Sequence, residues 1–212
     1  FCVTKVMTRR NDDPKTAIRP FDKDRDGFAL GEAAAFVVLE ELSHAQQRGA
    51  RIYAEVLGHG RSCEAYHSVA PHPEGLGMQR AMERALRRAR MMPGEIDYIN
   101  AHGTATPTND PAEARAIDAL FASSGTRPGV SSTKPITGHA LGAAGALETV
   151  VCALAVHHEL APLTANLTTP EPGPRLDFIQ GESRAFPIRA AMNLSVGFGG
   201  KNSCLILGRS PA

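Results

Sequence analysis

The run AAAFVVLEE (Ala33–Glu41) is apolar at nearly every position and predicts a strand buried on both faces. LSHAQQRGA follows as a short helix closing near Gly49, and RIYAEVLGHG (Arg51–Gly60) as a second strand. The period then switches. GLGMQRAMERALRRARM places apolar residues three and four apart and predicts an amphipathic helix ending before Pro93. IDYINAHG is a strand running into a glycine turn. NDPAEARAIDALFA has the marks of a helix start, with Asn109 or Asp110 as cap and Pro111 in the first turn. GVSST, AAMNLSV and SCLILG are further strands, the last two flanking the glycine loop GFGGKN. Between GVSST and the segment APLTANL, a nearly all-apolar helix is predicted from near His139 to His157, His158 and Glu159. Alternating strands and helices of this kind indicate an α/β protein, and the Pro-rich APHPEG near Pro71 is the best candidate boundary.

The predicted buried helix contains one acid. Leu141, Gly145, Glu148 and Cys152 recur at spacings of three and four, so Glu148 shares a face with small and apolar residues. An unpaired buried carboxylate costs several kcal/mol, and the nearest cation in sequence is Lys134. Two arrangements satisfy the pattern: a buried Lys134–Glu148 pair, or a solvated stripe with Lys134 capping a loop.

Composition narrows the function classes. The chain has 212 residues, 42% hydrophobic and 21% charged, enough for one sizeable core or two small ones, and its net charge of +1 offers no reason to expect nucleic acid or an anionic membrane as partner. No run reaches the ~20 apolar residues of a membrane span, and no secretory pattern opens the chain, so a cytoplasmic location is expected. Cysteines at 2, 63, 152 and 204 lack CxxC spacing and are expected to be reduced.

DKDRDG (Asp22–Gly27) resembles the first half of a calcium loop, but its twelfth position is Ala33, so a charged surface turn is expected and no metal site. GFGGKN and GHALGAAG fit neither nucleotide-binding glycine pattern, and HHE at 157–159 lacks zinc-ligand spacing. His102 ends a strand and His139 starts a helix, positions where α/β proteins collect chemistry. A helix N-terminus disfavours imidazolium, so His139 is expected to stay neutral, and two neutral N–H donors on one oxygen would make an oxyanion or enolate hole. Either histidine could equally be a hydrogen-bonded structural residue.

RPFDKDRDGFALGEAAAFVVLEE, DYINAHGTATPTND, SSTKPITGHALGAAGALE and NLSVGFGGKN, in this order, resemble the C-terminal part of a β-ketoacyl-acyl carrier protein synthase, a type II condensing enzyme of the thiolase-like superfamily. The resemblance implies an α/β, thiolase-like layered αβαβα fold, with residues 1–62 ending the N-terminal half and 63–212 forming the C-terminal half. It implies condensation of an acyl thioester with malonyl-acyl carrier protein, with loss of carbon dioxide, in fatty-acid or polyketide synthesis. His102 and His139 resemble the active-site histidines, Lys134 the buried lysine and Glu148 its acid. Thr104 and Thr106 resemble hydroxyls that bond the pantetheine arm, and Phe198, between Gly197 and Gly199, resembles the gate of the acyl pocket. No cofactor is implied beyond the phosphopantetheine arm of acyl carrier protein. The implied partners are that carrier, the upstream ketosynthase half, and a second subunit in a homodimer or a ketosynthase/chain-length-factor heterodimer.

The nucleophilic cysteine implied by the resemblance lies upstream of RNDDP, so these residues alone are expected to be inactive. Val196 and Lys201 depart from the usual FGFGGTN and leave chain-length preference open. Two rival readings are a noncatalytic chain-length-factor-like partner subunit, against which both histidines argue, and a Cys-His hydrolase using Cys63.

Overall fold

The computed structural model describes residues 1–210. Its elements in chain order are α1 (Leu42–Gln47), β1 (Glu55–Cys63), α2 (Leu76–Ala89), β2 (Tyr98–Asn100), α3 (Asn109–Phe121), β3 (Gly129–Ser131), α4 (Lys134–Thr137), α5 (Ala144–His158), β4 (Leu160–Ala161), β5 (Asp177–Phe178), β6 (Arg184–Ala185), β7 (Ala190–Gly197) and β8 (Lys201–Gly208). Six strands form one mixed sheet in the order β1-β8-β7-β2-β3-β5, and β4 pairs with β6 apart from it. The hairpin β7–β8 and edge strand β1 are antiparallel, while β7, β2, β3 and β5 run parallel.

Helices cover both faces of the sheet, and the strand period sends neighbouring side chains to opposite layers. Ile99, Met192, Cys204 and Ile206 join Met78, Met82, Ile117 and Phe121 on the side of α2 and α3. Tyr98, Ala191 and Leu207 join Cys152, Ala155 and Val156 on the side of α5. The sheet lets α2 approach closely because β1 carries glycine there: a Cβ on Gly60 would overlap the Ala81 carbonyl. Pro71 lies in the link between β1 and α2, a strand of the sheet and a helix packed on it.

Three expectations change. Ala33–Glu41 forms no strand; Phe36 and Val38 are 92% and 90% exposed. A strand apolar on both faces needs neighbouring strands and a cover, and none is present among the described residues. The apolar helix begins later than expected, since a 3₁₀ turn over Leu141–Ala143 precedes Ala144. It is buried along one face rather than throughout: Glu148, Cys152, Ala155 and Val156 are covered, while Leu141 and Leu154 are exposed. Leu141–His158 is long and apolar enough by composition to cross a membrane, yet here it packs on the sheet and carries a buried ion pair. Finally, DKDRDG is not wholly a surface turn, because Asp22 is fully buried.

Parallel strands β7, β2 and β3 deliver their C-terminal ends to one edge of the sheet. The segments leaving them carry Phe198, His102 and Lys134 respectively.

Candidate active site

The loop leaving β2 is held from behind by two carboxylates one helical turn apart on α3. Glu113 accepts from the backbone N–H of His102 at 2.6 Å and of Gly103 at 2.8 Å. Asp110 accepts from Thr104 and Ala105, both at 3.1 Å, and from Phe21 at 2.8 Å. Four consecutive amides are thus satisfied by the i, i+3 pair, and Asn109 Nδ2 bonds both acids at 3.2 Å. Asn109 and Asp110 were expected to cap α3; instead they are its first residues, and the cap position, Thr108, makes no side-chain cap bond. Burial pushes the Glu113 carboxyl up to about 7, against the pull of the amides, and raises Asp110 as well. Neither role was foreseen. The available signal was two acids at i, i+3 in a helix rich in alanine.

The segment leaving β3 supplies the cation. The Lys134 ammonium donates to the His102 carbonyl and to Glu148 Oε1, and both side chains are buried. The buried-pair arrangement therefore holds, and the solvated stripe is excluded. Burial pushes the Glu148 carboxyl up while Lys134 pulls it down. Ser132 Oγ donates to Gly103 O at 2.8 Å, so the β2 and β3 loops are tied twice.

His139 is placed by a backbone clasp and not by a helix end. Its N–H donates to Ala29 O at 2.9 Å, and its carbonyl accepts from Gly31 N at 3.1 Å. The two strands of this clasp touch through glycines: a Cβ on Gly138 would lie 2.6 Å from Gly31 Cα. His139 is nevertheless neutral, for a different reason than expected. Burial and the nearby Lys134 push its pKa down to about 4, and the same two causes hold His102 well below the ordinary histidine range.

The imidazoles stand edge to face, ring centroids 5.3 Å apart at 81°, with exposures of only 6% and 8%. Leu141 N–H donates to His139 Nδ1 at 3.3 Å, which leaves the proton on Nε2. His102 Nδ1 is buried without a partner. Phe28 packs against His139 at 4.9 Å.

Both rings line a cavity of about 350 Å³ together with Thr104, Thr106, Leu141, Val196, Gly197 and Phe198. Thr104 Oγ1 and Thr106 Oγ1 are 3.0 Å apart. Phe198 sits half exposed on the β7–β8 turn at the rim. Gly199 turns away, its N–H donating to Ser68 O at 2.8 Å. Lys134 and Glu148 stand behind the cavity wall, and neither they nor Lys201 and Gly199 line it. The structure thus brings His102, His139, Thr104, Thr106 and Phe198 to one cavity.

No cysteine joins them. Cys152 and Cys204 are fully buried, and burial raises both thiols far above their ordinary range. Cys2 and Cys63 are exposed, and Cys63 Sγ is bonded only to Gly199 O at 3.6 Å, so no Cys63–His arrangement exists. Two of the three carboxylates of DKDRDG are already committed: Asp22 to Thr168, Thr169 and the Asp24 amide, and Asp26 to Thr8 and Arg9.

Comparison with known proteins identifies two matching families, "Beta-ketoacyl synthase, C-terminal domain" over residues 53–168 and "Beta-ketoacyl synthase, N-terminal domain" over residues 1–45. Among curated relatives, 3-oxoacyl-[acyl-carrier-protein] synthase 2 of Coxiella burnetii is 52% identical over 209 residues, 99% of this chain and 50% of the relative. The enzyme of the same name from Synechocystis is 46% identical, covering 97% and 49%. Among solved structures, a type II polyketide ketosynthase in complex with its acyl-carrier protein, AntDE:AntF, superposes with a TM-score of 0.94 at 35% identity, covering 98% of this chain and 51% of that one. A β-ketoacyl synthase from Burkholderia phymatum gives 0.93 at 41% identity, covering 99% and 50%. The chain spans about half the length of the curated relatives it matches.

Proposed function

This chain belongs to the β-ketoacyl synthase family, with the thiolase-like layered α/β fold, and on that basis we propose that it forms the histidine-bearing part of a decarboxylative condensing enzyme of fatty-acid or polyketide synthesis. The observation that carries the proposal is the pair of neutral imidazoles in one cavity, with the cation behind them and not between them.

In this reading a malonyl thioester enters with its thioester oxygen between His102 and His139. The bond from the α-carbon to the carboxylate breaks, carbon dioxide leaves, and the electron pair passes through the α-carbon to the thioester oxygen. His139 Nε2–H and the His102 ring donate to that oxygen; one such donor is worth about 3 to 4 kcal/mol. Neutrality suits the task, because an imidazolium would protonate the enolate. The enolate carbon then attacks an acyl group held as a cysteine thioester, and the thiolate leaves. That cysteine is assigned to the upstream part of the enzyme. Thr104 and Thr106 bond the amides of the carrier's arm, and Phe198, flexing between Gly197 and Gly199, admits the acyl chain.

Lys134 and Glu148 do not touch substrate here. Lys134, held by Glu148, ties down the His102 carbonyl, and its charge, added to burial, lowers the basicity of the His102 ring. No resident cofactor or metal is required, since the substrate brings its own arm. Acyl carrier protein is the partner proposed, with a second ketosynthase or chain-length-factor subunit completing a dimer; complexes with a carrier and with chain-length factors occur among the structural neighbours. Retention of both histidines favours the condensing role over a silent subunit. Four free thiols suit a reducing, cytoplasmic setting.

The test is made in the full-length enzyme. His102→Ala and His139→Ala are each expected to slow malonyl decarboxylation by about two to three orders of magnitude while the nucleophile still becomes acylated. Near-normal carbon dioxide release from either variant refutes the enolate hole.

A further inference from the structure

The DKDRDG turn has no part in the chemistry above, yet it sends a guanidinium beneath the substrate loop. We propose that Arg25 is a positioning residue for the carrier's arm, fixing from behind the cavity wall the peptide that carries the Thr104–Thr106 hydroxyl pair. The proposal rests on the reading that these hydroxyls bind the arm.

The Arg25 side chain is only 6% exposed. Its Nε donates to Thr106 O at 3.2 Å, Nη1 donates to Asp22 O at 3.0 Å, and Nη1 also pairs with Glu171 Oε2 at 2.5 Å. The peptide joining Thr106 to Pro107 has no N–H, so only its carbonyl side can be tied. The helical bond to that carbonyl from Asp110 N is 3.5 Å long, which leaves Arg25 as its closer partner. Residue 106 in turn decides where the hydroxyls point. Thr106 Oγ1 accepts from Asn109 N at 3.2 Å and bonds Thr104 Oγ1 at 3.0 Å. Between them Ala105 is held at φ +62°, a conformation an L residue does not keep without external ties.

Arg25 is itself held rigidly. Asp22 Oδ2 accepts from Thr168 N, Thr168 Oγ1 and Thr169 N at 2.9 to 3.0 Å, and Asp22 Oδ1 accepts from Asp24 N at 3.0 Å. The Arg25 amide closes the turn onto Asp22 O at 3.2 Å. Of the acids in the DKDRDG turn, Asp22 thus serves Arg25, its carboxylate anchoring the turn and its backbone carbonyl accepting from the guanidinium. A lysine would keep the charge but lose the fork that reaches Thr106, Asp22 and Glu171 together.

The experiment compares decarboxylation of malonyl-pantetheine with that of malonyl ethyl thioester, which lacks the arm, in the full-length enzyme. Arg25→Met and Arg25→Lys are expected to raise KM for malonyl-pantetheine about tenfold, the equivalent of one hydrogen bond. Turnover of the ethyl thioester should stay within about twofold of the parent. Parallel losses on both substrates would mean a merely structural role and overturn the proposal. Thr104→Val and Thr106→Val are measured alongside. If they abolish the preference for the arm and the Arg25 variants do not, Arg25 alone is misassigned. If they leave the preference intact, the arm reading falls and the Arg25 proposal with it. Should Arg25→Met fail to fold, Arg25→Lys decides the question.

Discussion

Removing one member of the Lys134–Glu148 pair should cost far more than removing both. Lys134 is completely buried, and its ammonium donates to Glu148 Oε1 and the His102 carbonyl, while Glu148 Oε2 is buried without a hydrogen-bond partner. Lys134→Met leaves a carboxylate in a dry layer, and Glu148→Leu leaves an ammonium with a single carbonyl. Each should destabilise the full-length enzyme by about 3 to 5 kcal/mol. The double variant Lys134→Met/Glu148→Leu strands no charge and should lose less than either single, a coupling of several kcal/mol that urea unfolding resolves. Proton uptake supplies a second signature. Burial already raises the Glu148 carboxyl, and removing Lys134 takes away the group that lowers it. In Lys134→Met the folded state therefore holds this proton more tightly than the unfolded state. Its stability should recover as pH falls toward the ordinary carboxylate range and be lost as pH rises. Additive single losses below about 1 kcal/mol, with no recovery in acid, would show that the pair is solvated and refute the reasoning.

His139 should give the opposite pH signature, since its pKa is depressed to about 4: its contribution is present above the unfolded pKa of 6.5 and lost as pH falls through 4. The difference in unfolding free energy between the parent and His139→Gln should change by at most about 3 kcal/mol over that window, and less if water reaches the ring through the cavity; a flat difference curve contradicts the buried neutral ring. Residues 1–212 alone should self-associate through Phe36, Val38 and Leu39, and Phe36→Ser/Val38→Ser should lower the apparent mass in sedimentation. The same isolated chain should take up no acyl group from an acyl-carrier-protein thioester, so a stoichiometric adduct on any of its four cysteines by mass spectrometry would show that the nucleophile has been misplaced.

Local chemistry was legible wherever a residue type conflicted with its surroundings. An acid at helical spacing among Leu141, Gly145 and Cys152 required a cation, and Lys134 is that cation. The helix patterns of α2, α3 and α5 appear within a few residues of where periodicity put them, because burial of one face follows from sequence spacing. Boundaries were less legible at α5, where the clasp to Leu30 holds His139 outside the helix. The Ala33–Glu41 run has the composition of a buried strand yet forms none, because composition records what a segment needs and not whether its neighbours are at hand.

The sequence by itself determined the alternation of strands and helices, the candidacy of Lys134 as partner to Glu148 and the resemblance that singled out His102 and His139. Only the tertiary structure decided that β2 and β3 are sheet neighbours, which sets residues 102 and 134 against one another across a gap of 32 positions. It likewise decided why His139 is neutral, through desolvation and Lys134 and not through a helix end. Asp110, Glu113 and Arg25 acquired their roles in the same way. Each acts on backbone amides or carbonyls, which every residue carries, so no side-chain pattern along the chain could announce the partner that folding would bring.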